Sequence, residues 1–198
     1  QTCALPNSIT VVLLAAGHGS RFSESGFVTP KPLLQVEGRP LAIRAIESML
    51  RNSSPTKLEL GAVVLDAHCI NNRLDEVLTS TFPQCRLVRL SKVLCGPVAS
   101  ASHFIREVKP TGPIVFFDCD QFFDDERILN KILDQFENEA AIVIGVTDSA
   151  DPTFGYVTTD ALSRVVEVAE KRRISQLALA GFYAFSSSEE FQIGRAHV

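Results

Sequence analysis

The stretch LLAAGHGSRFSESGFVTPKPLL, residues 13–34, decides the fold because an apolar strand runs directly into a glycine-broken loop. Gly17 and Gly19 allow the backbone to approach a bulky anion and to present its N–H groups. Arg21 and Lys31 add two cations, a guanidinium fork and a mobile ammonium group, that can hold phosphate oxygens. The block therefore predicts a site for a nucleoside triphosphate.

Two other phosphate-binding loops do not fit this block. A dinucleotide-binding G-x-G-x-x-G motif needs a third glycine at position 22, where Phe22 stands. A Walker loop needs a G-K-[S/T] element to close it, and the block contains none. Both interpretations are therefore set aside in favour of a triphosphate loop of another kind.

Apolar periodicity predicts strands that alternate with helices in the first three quarters of the chain. The predicted strands are Ser8–Leu14, Leu60–Leu65, Arg86–Leu90, Pro113–Phe117 and a buried Ala140–Val146. The predicted helices are Pro40–Leu50, Asn71–Leu78, Val98–Val108 and Glu126–Phe136. This alternation predicts an α/β fold, a Rossmann-like, mostly parallel sheet flanked by helices and joined by right-handed crossovers.

The pattern changes after Val146. Three short extended segments follow without long helices between them, namely Tyr156–Thr159, Val165–Ala169 and Phe182–Phe185. Such segments are typical of hairpin strands and predict a small β-rich lobe.

We expect one domain over residues 1–192, with a nucleotide-binding half to about residue 150 and the second half from about residue 151. The last six residues, IGRAHV, match a sequencing-library adapter in one reading frame. Residues 193–198 are therefore predicted to be a non-native tail, and the second half to be truncated.

Composition limits the class of protein. A hydrophobic content of 45% and a charged content of 21% fit a packed globular core. The net charge of −4 argues against a nucleic-acid partner, and no apolar run reaches the roughly 18 residues of a membrane span. Five scattered cysteines without a CxxC pair are typical of a reducing cytosol. We therefore expect a cytoplasmic protein without nucleic-acid or membrane partners, and a homo-oligomer is compatible with the sequence.

An acidic cluster follows the fourth predicted strand. In FFDCDQ, residues 116–121, Asp118 and Asp120 stand at the carboxyl end of that strand, where parallel sheets bind ligands. Alternation points both carboxylates to one face, and carboxylates together with phosphate oxygens are typical ligands of Mg²⁺. We expect Mg²⁺ at Asp120, with Asp118 the weaker candidate. The alternative is an acidic turn that caps the next helix.

A third group combines Phe154-Gly155-Tyr156 with Ala169-Glu170-Lys171. Glycine between aromatic residues allows a ligand to approach the backbone closely. An adjacent Glu-Lys pair can accept sugar hydroxyls and neutralise a phosphate, although spacing alone favours an ordinary solvent-facing pair.

Taken together, these motifs resemble those of the sugar-1-phosphate nucleotidyltransferases, the pyrophosphorylases that make NDP-sugars. Residues 14–33 are similar to the signature L-x-A-G-x-G-[S/T]-R-[F/L]…K-P-L, and GPVASA at 96–101 is similar to the nucleotide-base segment. FGYV at 154–157, EVAEKRRIS at 167–175 and AGFYAF at 180–185 are similar to the sugar-phosphate half. The resemblance implies a fold of the nucleotide-diphospho-sugar transferase type with a small sugar-binding lobe.

The resemblance also implies a role for each matching residue. Arg21, Lys31 and Asp120 would be catalytic, on the β- and γ-phosphates, beside the α-phosphate and on Mg²⁺ respectively. The nucleotide would contact Leu14, Ala15, Ala16, Gly17, Gly19, Ser20, Arg21, Lys31 and Gly96, and the sugar phosphate would contact Gly155, Glu170 and Lys171. The implied substrates are an NTP and a sugar-1-phosphate, and the implied products are an NDP-sugar and pyrophosphate.

Departures from the family pattern bear on the base, on activity and on the branch of the family. Pro97-Val98 replaces the usual small residues after Gly96, so the sequence does not assign the nucleotide base that the enzyme prefers. The second metal aspartate of the family would lie past the end of this chain, which predicts an inactive or weakly active fragment. PKPLLQVEGRPL with DCDQ is similar to a bacterial surface-polysaccharide branch.

Four further functions stay open from the sequence. The first is cytidylyl transfer to a non-sugar phosphomonoester such as phosphocholine, and the second is a GT-A-like glycosyltransferase with an NDP-sugar donor. The third is an aspartyl phosphatase, for which Phe122 breaks the required D-x-D-x-[T/V] pattern. The fourth is a nucleotide-binding module without catalysis.

Overall fold

The structure, a computed structural model, describes residues 8–17, 19, 26, 28–52 and 57–195. The strands are β1 (Ser8–Ala15), β2 (Gln35–Val36), β3 (Arg39–Pro40), β4 (Lys57–Leu65), β5 (Arg86–Leu90), β6 (Ile114–Asp118), β7 (Ile142–Asp148), β8 (Gly155–Thr159), β9 (Val165–Glu170) and β10 (Leu177–Phe185). The helices are α1 (Leu41–Leu50), α2 (Asp66–Asn72), α3 (Leu74–Thr81), α4 (Gly96–Val108), α5 (Ile128–Glu137) and α6 (Ser188–Arg195), with a 3₁₀ turn at Lys31–Leu33. Within these ranges, no helix is both long and apolar enough to cross a membrane.

The chain divides into two compact units, Gln1–Val143 with Ala184–Val198, and Ile144–Tyr183. In the first unit, four strands lie in the order β5-β4-β1-β6. β1 is parallel to both β4 and β6, and β4 is parallel to β5. The predicted α/β fold with a mostly parallel, helix-flanked sheet is therefore confirmed.

β1 forms the centre of this sheet. Val11, Val12 and Leu13 point alternately to the two faces, yet all three are fully buried. Burial on both faces is characteristic of parallel strands with helices above and below them. The same apolar run that predicted a strand thus leads the chain straight to the glycine loop at its carboxyl end.

Gly61 on β4 lies directly against Phe104 of α4. A Cβ atom at this position would lie 2.5 Å from both Cε2 and Cζ of Phe104. Phe104 is itself buried and packs edge-on against Phe116, with ring centres 6.4 Å apart. The absence of a side chain at Gly61 therefore lets α4 lie directly on β4.

The single helix predicted over Asn71–Leu78 is wrong, because the chain forms two helices there. α2 begins at Asp66, directly after β4, and ends at Asn72, and its C-cap residue Arg73 has a left-handed φ of 57°. The Arg73 N–H donates to the Cys69 carbonyl, as is typical of a helix C-terminus, and α3 then starts at Leu74. Apolar periodicity continues across this break, so it did not reveal the break.

β7 is the second correction. The sequence predicts a fully buried strand, but Ile142 and Val146 are 45% and 43% exposed. β7 pairs with β10 away from the main strand order, and Ile142 and Val146 lie on the same face of the strand, so this face is open to solvent. A continuous apolar run is thus not sufficient to establish burial on both faces.

Near the carboxyl end, the structure extends the predicted elements. β10 begins at Leu177, five residues before the predicted start, because pairing with neighbouring strands supports an alanine- and glycine-containing run of low β-propensity. α6 was not predicted and continues to Arg195, inside the predicted tail. Phe191 of α6 packs on Phe116, with ring centres 5.6 Å apart, within the first unit.

The second unit is antiparallel. β8 pairs with β9 and with β10 in antiparallel fashion, which confirms the predicted hairpin strands. Tyr156 of β8 is fully buried, and its hydroxyl donates to the Asp151 carbonyl at 2.6 Å. A buried phenol that keeps its hydrogen bond ties the strand to the preceding loop without a desolvation penalty.

Candidate active site

A cavity of about 250 Å³ lies at the carboxyl ends of β1 and β6, where parallel sheets bind ligands. Its walls come from the first unit: the end of β1, the glycine loop, the 3₁₀ turn, the segment after β5, the start of α4 and the end of β6. The lining residues are Leu14, Ala15, Ala16, Gly17, Gly19, Lys31, Pro32, Val93, Leu94, Gly96, Pro97, Ser100, Asp118, Cys119 and Asp120.

The cavity unites predicted residues that are far apart in sequence. Those among its walls are Leu14, Ala15, Ala16, Gly17, Gly19, Lys31, Gly96 and Asp120. Ser20 and Arg21 lie outside the described residues, so their roles stay predictions. The glycine loop, one of the two predicted cations and the predicted metal aspartate therefore share one cavity.

Lys31 and Asp120 form an ion pair in this cavity. The Lys31 Nζ lies 2.6 Å from the Asp120 Oδ2, and the two side chains are 23% and 33% exposed. Such a partly exposed pair contributes little to stability. The ion pair places a positive charge that can bind a phosphate and a negative charge that can bind a metal ion in the same cavity.

Gly19 fits closely against Lys31. Its φ of 60° is in the left-handed region, and a Cβ atom there would lie 3.1 Å from the Lys31 Cβ. Lys31 itself is held in the short 3₁₀ turn, which ends when the Leu34 N–H donates to the Lys31 carbonyl at 3.2 Å. Glycine at position 19 thus permits the loop to close on the lysine.

Asp118 also lines the cavity, and its pKa is raised to about 6. Burial is the main cause, the charge of Asp120 adds to it, and Lys31 opposes it. Between the two carboxylates, burial raises the pKa of the Cys119 thiol to about 12, so this thiol stays neutral. β6 ends at Asp118, so strand alternation does not extend to Asp120, yet the following turn brings both carboxyls to the cavity.

The contribution of Asp118 to the free energy of unfolding is expected to fall as the pH rises from about 4 to about 6. In this interval, the folded protein keeps a proton on Asp118 that the unfolded chain has released, so rising pH favours unfolding. The total loss should be on the order of 2–3 kcal/mol. Denaturant unfolding at several pH values, with a chelator present, measures it.

The variant Asp118→Asn isolates this effect. Its stability relative to the unmodified protein should increase across the same interval and level off above about pH 6. Asp124→Asn, at an exposed position of the same turn, serves as the matched control. A stability difference for Asp118→Asn that does not change with pH would contradict the assignment.

Several wall residues were not named individually in the predicted site, although Pro97 and Ser100 belong to the segment GPVASA, which the resemblance assigns to the nucleotide base. Val93, Leu94 and Pro97 form an apolar side, and Ser100 adds a buried hydroxyl, 6% exposed, from the second turn of α4. Their position directly after β5, at the carboxyl edge of the parallel sheet, is the signal that could have identified them.

The amino terminus of α4 also opens on the cavity. Cys95, at its N-cap, makes no side-chain capping hydrogen bond, and the first turn carries no acidic residue. Gly96 has a φ of 82°, so the predicted glycine is needed for the backbone to turn into the helix. The positive end of the helix dipole therefore faces the cavity.

The two carboxylates fit Mg²⁺ held jointly with a phosphate. Among the described residues, no three acidic, histidine or cysteine side chains cluster in a way that could hold a metal. Mg²⁺ commonly uses only one or two carboxylates and completes its shell with phosphate oxygens and water. Asp120 and Asp118 are such a donor set.

In the second unit, Gly155, Glu170 and Lys171 are neighbours. Gly155 pairs with Glu170 across β8 and β9, and a Cβ atom at Gly155 would lie 3.1 Å from a Glu170 carboxylate oxygen. The Lys171 N–H donates to the Phe154 carbonyl at 3.1 Å, and both charged side chains are exposed. Their role in binding a sugar phosphate stays a prediction.

Solved structures share this fold. A putative glucose-1-phosphate thymidylyltransferase from Bacillus anthracis matches with a TM-score of 0.75 and 19% identity, over 94% of this chain and 74% of that chain. The inositol-1-phosphate CTP transferase from T. maritima matches with a TM-score of 0.73 and 19% identity, over 98% of this chain and 76% of that chain. A nucleoside-diphosphate-sugar pyrophosphorylase from Vibrio cholerae RC9 matches with a TM-score of 0.70 and 17% identity, over 96% of this chain and 77% of that chain.

The fold and the site together define a nucleotidyltransferase of the α/β class. The chain belongs to the family of the MobA-like NTP transferase domain, which matches residues 11–181. No curated protein matches the chain significantly. The predicted resemblance to nucleotidyltransferases is therefore confirmed, and the chain is an enzyme of this type. The surface-polysaccharide branch stays a prediction.

Proposed function

We propose that this enzyme transfers a nucleoside monophosphate from an NTP to a sugar-1-phosphate and releases pyrophosphate. The observation that carries the proposal is the Lys31–Asp120 pair, 2.6 Å apart, in a cavity formed by the glycine loop and the amino terminus of α4. Backbone N–H groups and a helix amino terminus attract phosphate oxygens. The apolar side of the cavity suits a nucleotide base.

The transfer is an in-line displacement. A phosphate oxygen of the acceptor forms a bond to the α-phosphorus, and the bond from that phosphorus to the bridging oxygen breaks. Pyrophosphate leaves with the electron pair, and an ionised acceptor needs no general base. Catalysis then consists of alignment and charge stabilisation.

The predicted catalytic and acceptor-binding residues each have a defined task in this proposal. Lys31 holds the α-phosphate oxygens, and Asp120, assisted by Asp118, holds Mg²⁺. When bound, Mg²⁺ neutralises the charge of the phosphates. Arg21, as predicted from the sequence, holds the β- and γ-phosphates, and the Glu170–Lys171 pair of the second unit binds the acceptor.

Cytidylyl transfer to another phosphomonoester is a second candidate. The specific observation in its favour is the match with the inositol-1-phosphate CTP transferase, which covers 98% of this chain. Its TM-score of 0.73 is similar to the values of 0.75 for the glucose-1-phosphate thymidylyltransferase and 0.70 for the nucleoside-diphosphate-sugar pyrophosphorylase. The acceptor therefore has to be determined by assay.

A pyrophosphate-release assay tests the proposal. The full-length protein is incubated with Mg²⁺, each of four NTPs, and a panel of sugar-1-phosphates, inositol-1-phosphate and phosphocholine. Release that requires one NTP and one sugar-1-phosphate supports the proposal, and release with a non-sugar acceptor supports the second candidate. NTP binding without release from any pair would contradict both and favour a non-catalytic module.

Two control reactions test for a glycosyltransferase and for an aspartyl phosphatase. A glycosyltransferase would release a nucleoside diphosphate from an NDP-sugar without any NTP. An aspartyl phosphatase would release inorganic phosphate from a phosphomonoester alone. Either result, in the absence of pyrophosphate release, would overturn the assignment to nucleotidyl transfer.

A further inference from the structure

Helix α1 (Leu41–Leu50) lies beside both chain segments that carry the ion pair of the cavity, although it contributes none of the lining residues described above. The Leu41 N–H donates to the Leu34 carbonyl at 2.9 Å, just after the 3₁₀ turn that carries Lys31. On the other side, the fully buried Ser48 accepts a hydrogen bond from the Phe123 N–H at 3.1 Å, just after Asp120. α1 therefore supports the two segments from outside the cavity.

Arg44 of α1 contacts both segments with one side chain. Its Nη1 donates to the Val36 carbonyl at 3.4 Å and to the Glu37 carboxylate, in the hairpin that follows Lys31. The same guanidinium lies 5.4 Å from the centre of the Phe122 ring, two residues after Asp120. Both contacts are of kinds that guanidinium groups form readily.

Phe122 has no place in the core, since it is 51% exposed. Its ring lies near two guanidiniums, that of Arg44 and that of Arg51 at 5.3 Å. An exposed aromatic ring held in this manner fixes the turn after Asp120 against α1. The contact explains why an apolar side chain stands at the surface of this turn.

The same two segments are thus joined twice. In the cavity, Lys31 meets Asp120 at 2.6 Å, and outside it, Arg44 joins Glu37 to Phe122. We propose that Arg44 is a positioning residue that sets the separation of Lys31 and Asp120 without touching the substrates. The catalytic consequence rests on the proposed function, whereas the structural consequence can be measured without turnover.

The chain offers two matched controls. Arg39 pairs with Glu47, so Arg39→Met removes an ion pair between the same hairpin and the same helix. Arg51→Met removes the other guanidinium that contacts Phe122. Each control loses one kind of contact that Arg44 makes, and Arg44→Met loses both at once.

Two measurements compare Arg44→Met with these controls. The first is kcat with saturating substrates, which should fall about tenfold or more for Arg44→Met and less than about threefold for either control. The second is the rate at which acetic anhydride acetylates Lys31, read by mass spectrometry against Lys92. This rate should rise severalfold in Arg44→Met alone, because acetic anhydride reacts with the neutral amine, and an Nζ atom that is no longer held against Asp120 is more accessible to the reagent.

The outcomes are distinct. Equal Lys31 acetylation in Arg44→Met and in both controls would overturn the inference, whatever happens to kcat. Increased acetylation in a protein that transfers no nucleotide would support the positioning role and contradict the proposed function. Arg44→Lys, which keeps the charge, should recover part of both readouts. If Arg44→Met does not fold, Phe122→Leu replaces it, with the same expected direction.

Discussion

Replacing Lys31 with alanine is expected to lower kcat/KM for nucleotidyl transfer by roughly 10²–10⁴. The side chain stands in the cavity beside Asp120, where the proposed reaction develops charge on the α-phosphate oxygens. Loss of a fixed cation from a partly buried site removes stabilisation that water does not replace. Initial rates of pyrophosphate release, with one substrate saturating and the other varied, measure the effect.

The control for this experiment is Lys92→Ala, which removes an exposed ammonium group on the segment after β5. Its kcat/KM should stay within about threefold of the unmodified enzyme, since exposed charges contribute little. Asp120→Asn should cause a loss similar to that of Lys31→Ala, and the double variant should lose less than the product of both. Turnover of Lys31→Ala equal to that of Lys92→Ala would contradict the assigned role.

The variant Phe104→Ala is expected to lower the free energy of unfolding by about 3–5 kcal/mol. Phe104 is 1% exposed and packs between Gly61 of β4 and the ring of Phe116. Its removal leaves a cavity between α4 and the sheet that neighbouring side chains fill only in part. Val98→Ala, on the same helix at a 45% exposed position, is the control, and its effect should stay below about 1 kcal/mol.

Gly61→Ala makes the same contact testable from the other side. Alone, it should destabilise the protein by about 1–3 kcal/mol, because the new Cβ would meet the Phe104 ring at 2.5 Å. In the Phe104→Ala background, that methyl group instead enters vacated space, so its effect should vanish or become stabilising. Denaturant unfolding of the unmodified protein, the two single variants and the double variant gives the four free energies of this double-mutant cycle. Equal effects of Gly61→Ala in both backgrounds would refute the packing argument.

Most elements of the fold could be predicted because their signals are local. The apolar run of β1, the helical spacing of α1 and the apolar face of α5 each lie within about ten residues. Errors arose where tertiary context decides. The break at Arg73 interrupts a continuous periodicity, and the exposure of β7 depends on whether other elements pack on its face.

The candidate site shows the same division. The glycine loop, Lys31, Gly96 and Asp120 were predicted individually, because each belongs to a short motif with a recognisable chemistry. Ser100, which lies within the predicted nucleotide-base segment, and Val93 were not named individually, since serine and valine have no distinctive pattern at these positions. Arg44 was missed for a related reason, because its importance depends on Glu37 and Phe122 together.

By itself, the sequence determined the class of this protein, an α/β nucleotidyltransferase, and it predicted a glycine loop, a lysine and a carboxylate as the chemical groups of its site. Only the tertiary structure decided that Lys31 and Asp120, far apart in the chain, meet at 2.6 Å. The tertiary structure also buries Asp118, which raises its pKa, and it brings Arg44 into contact with both Glu37 and Phe122. Local periodicity determines secondary structure, whereas distances and local dielectric arise only when distant segments pack together.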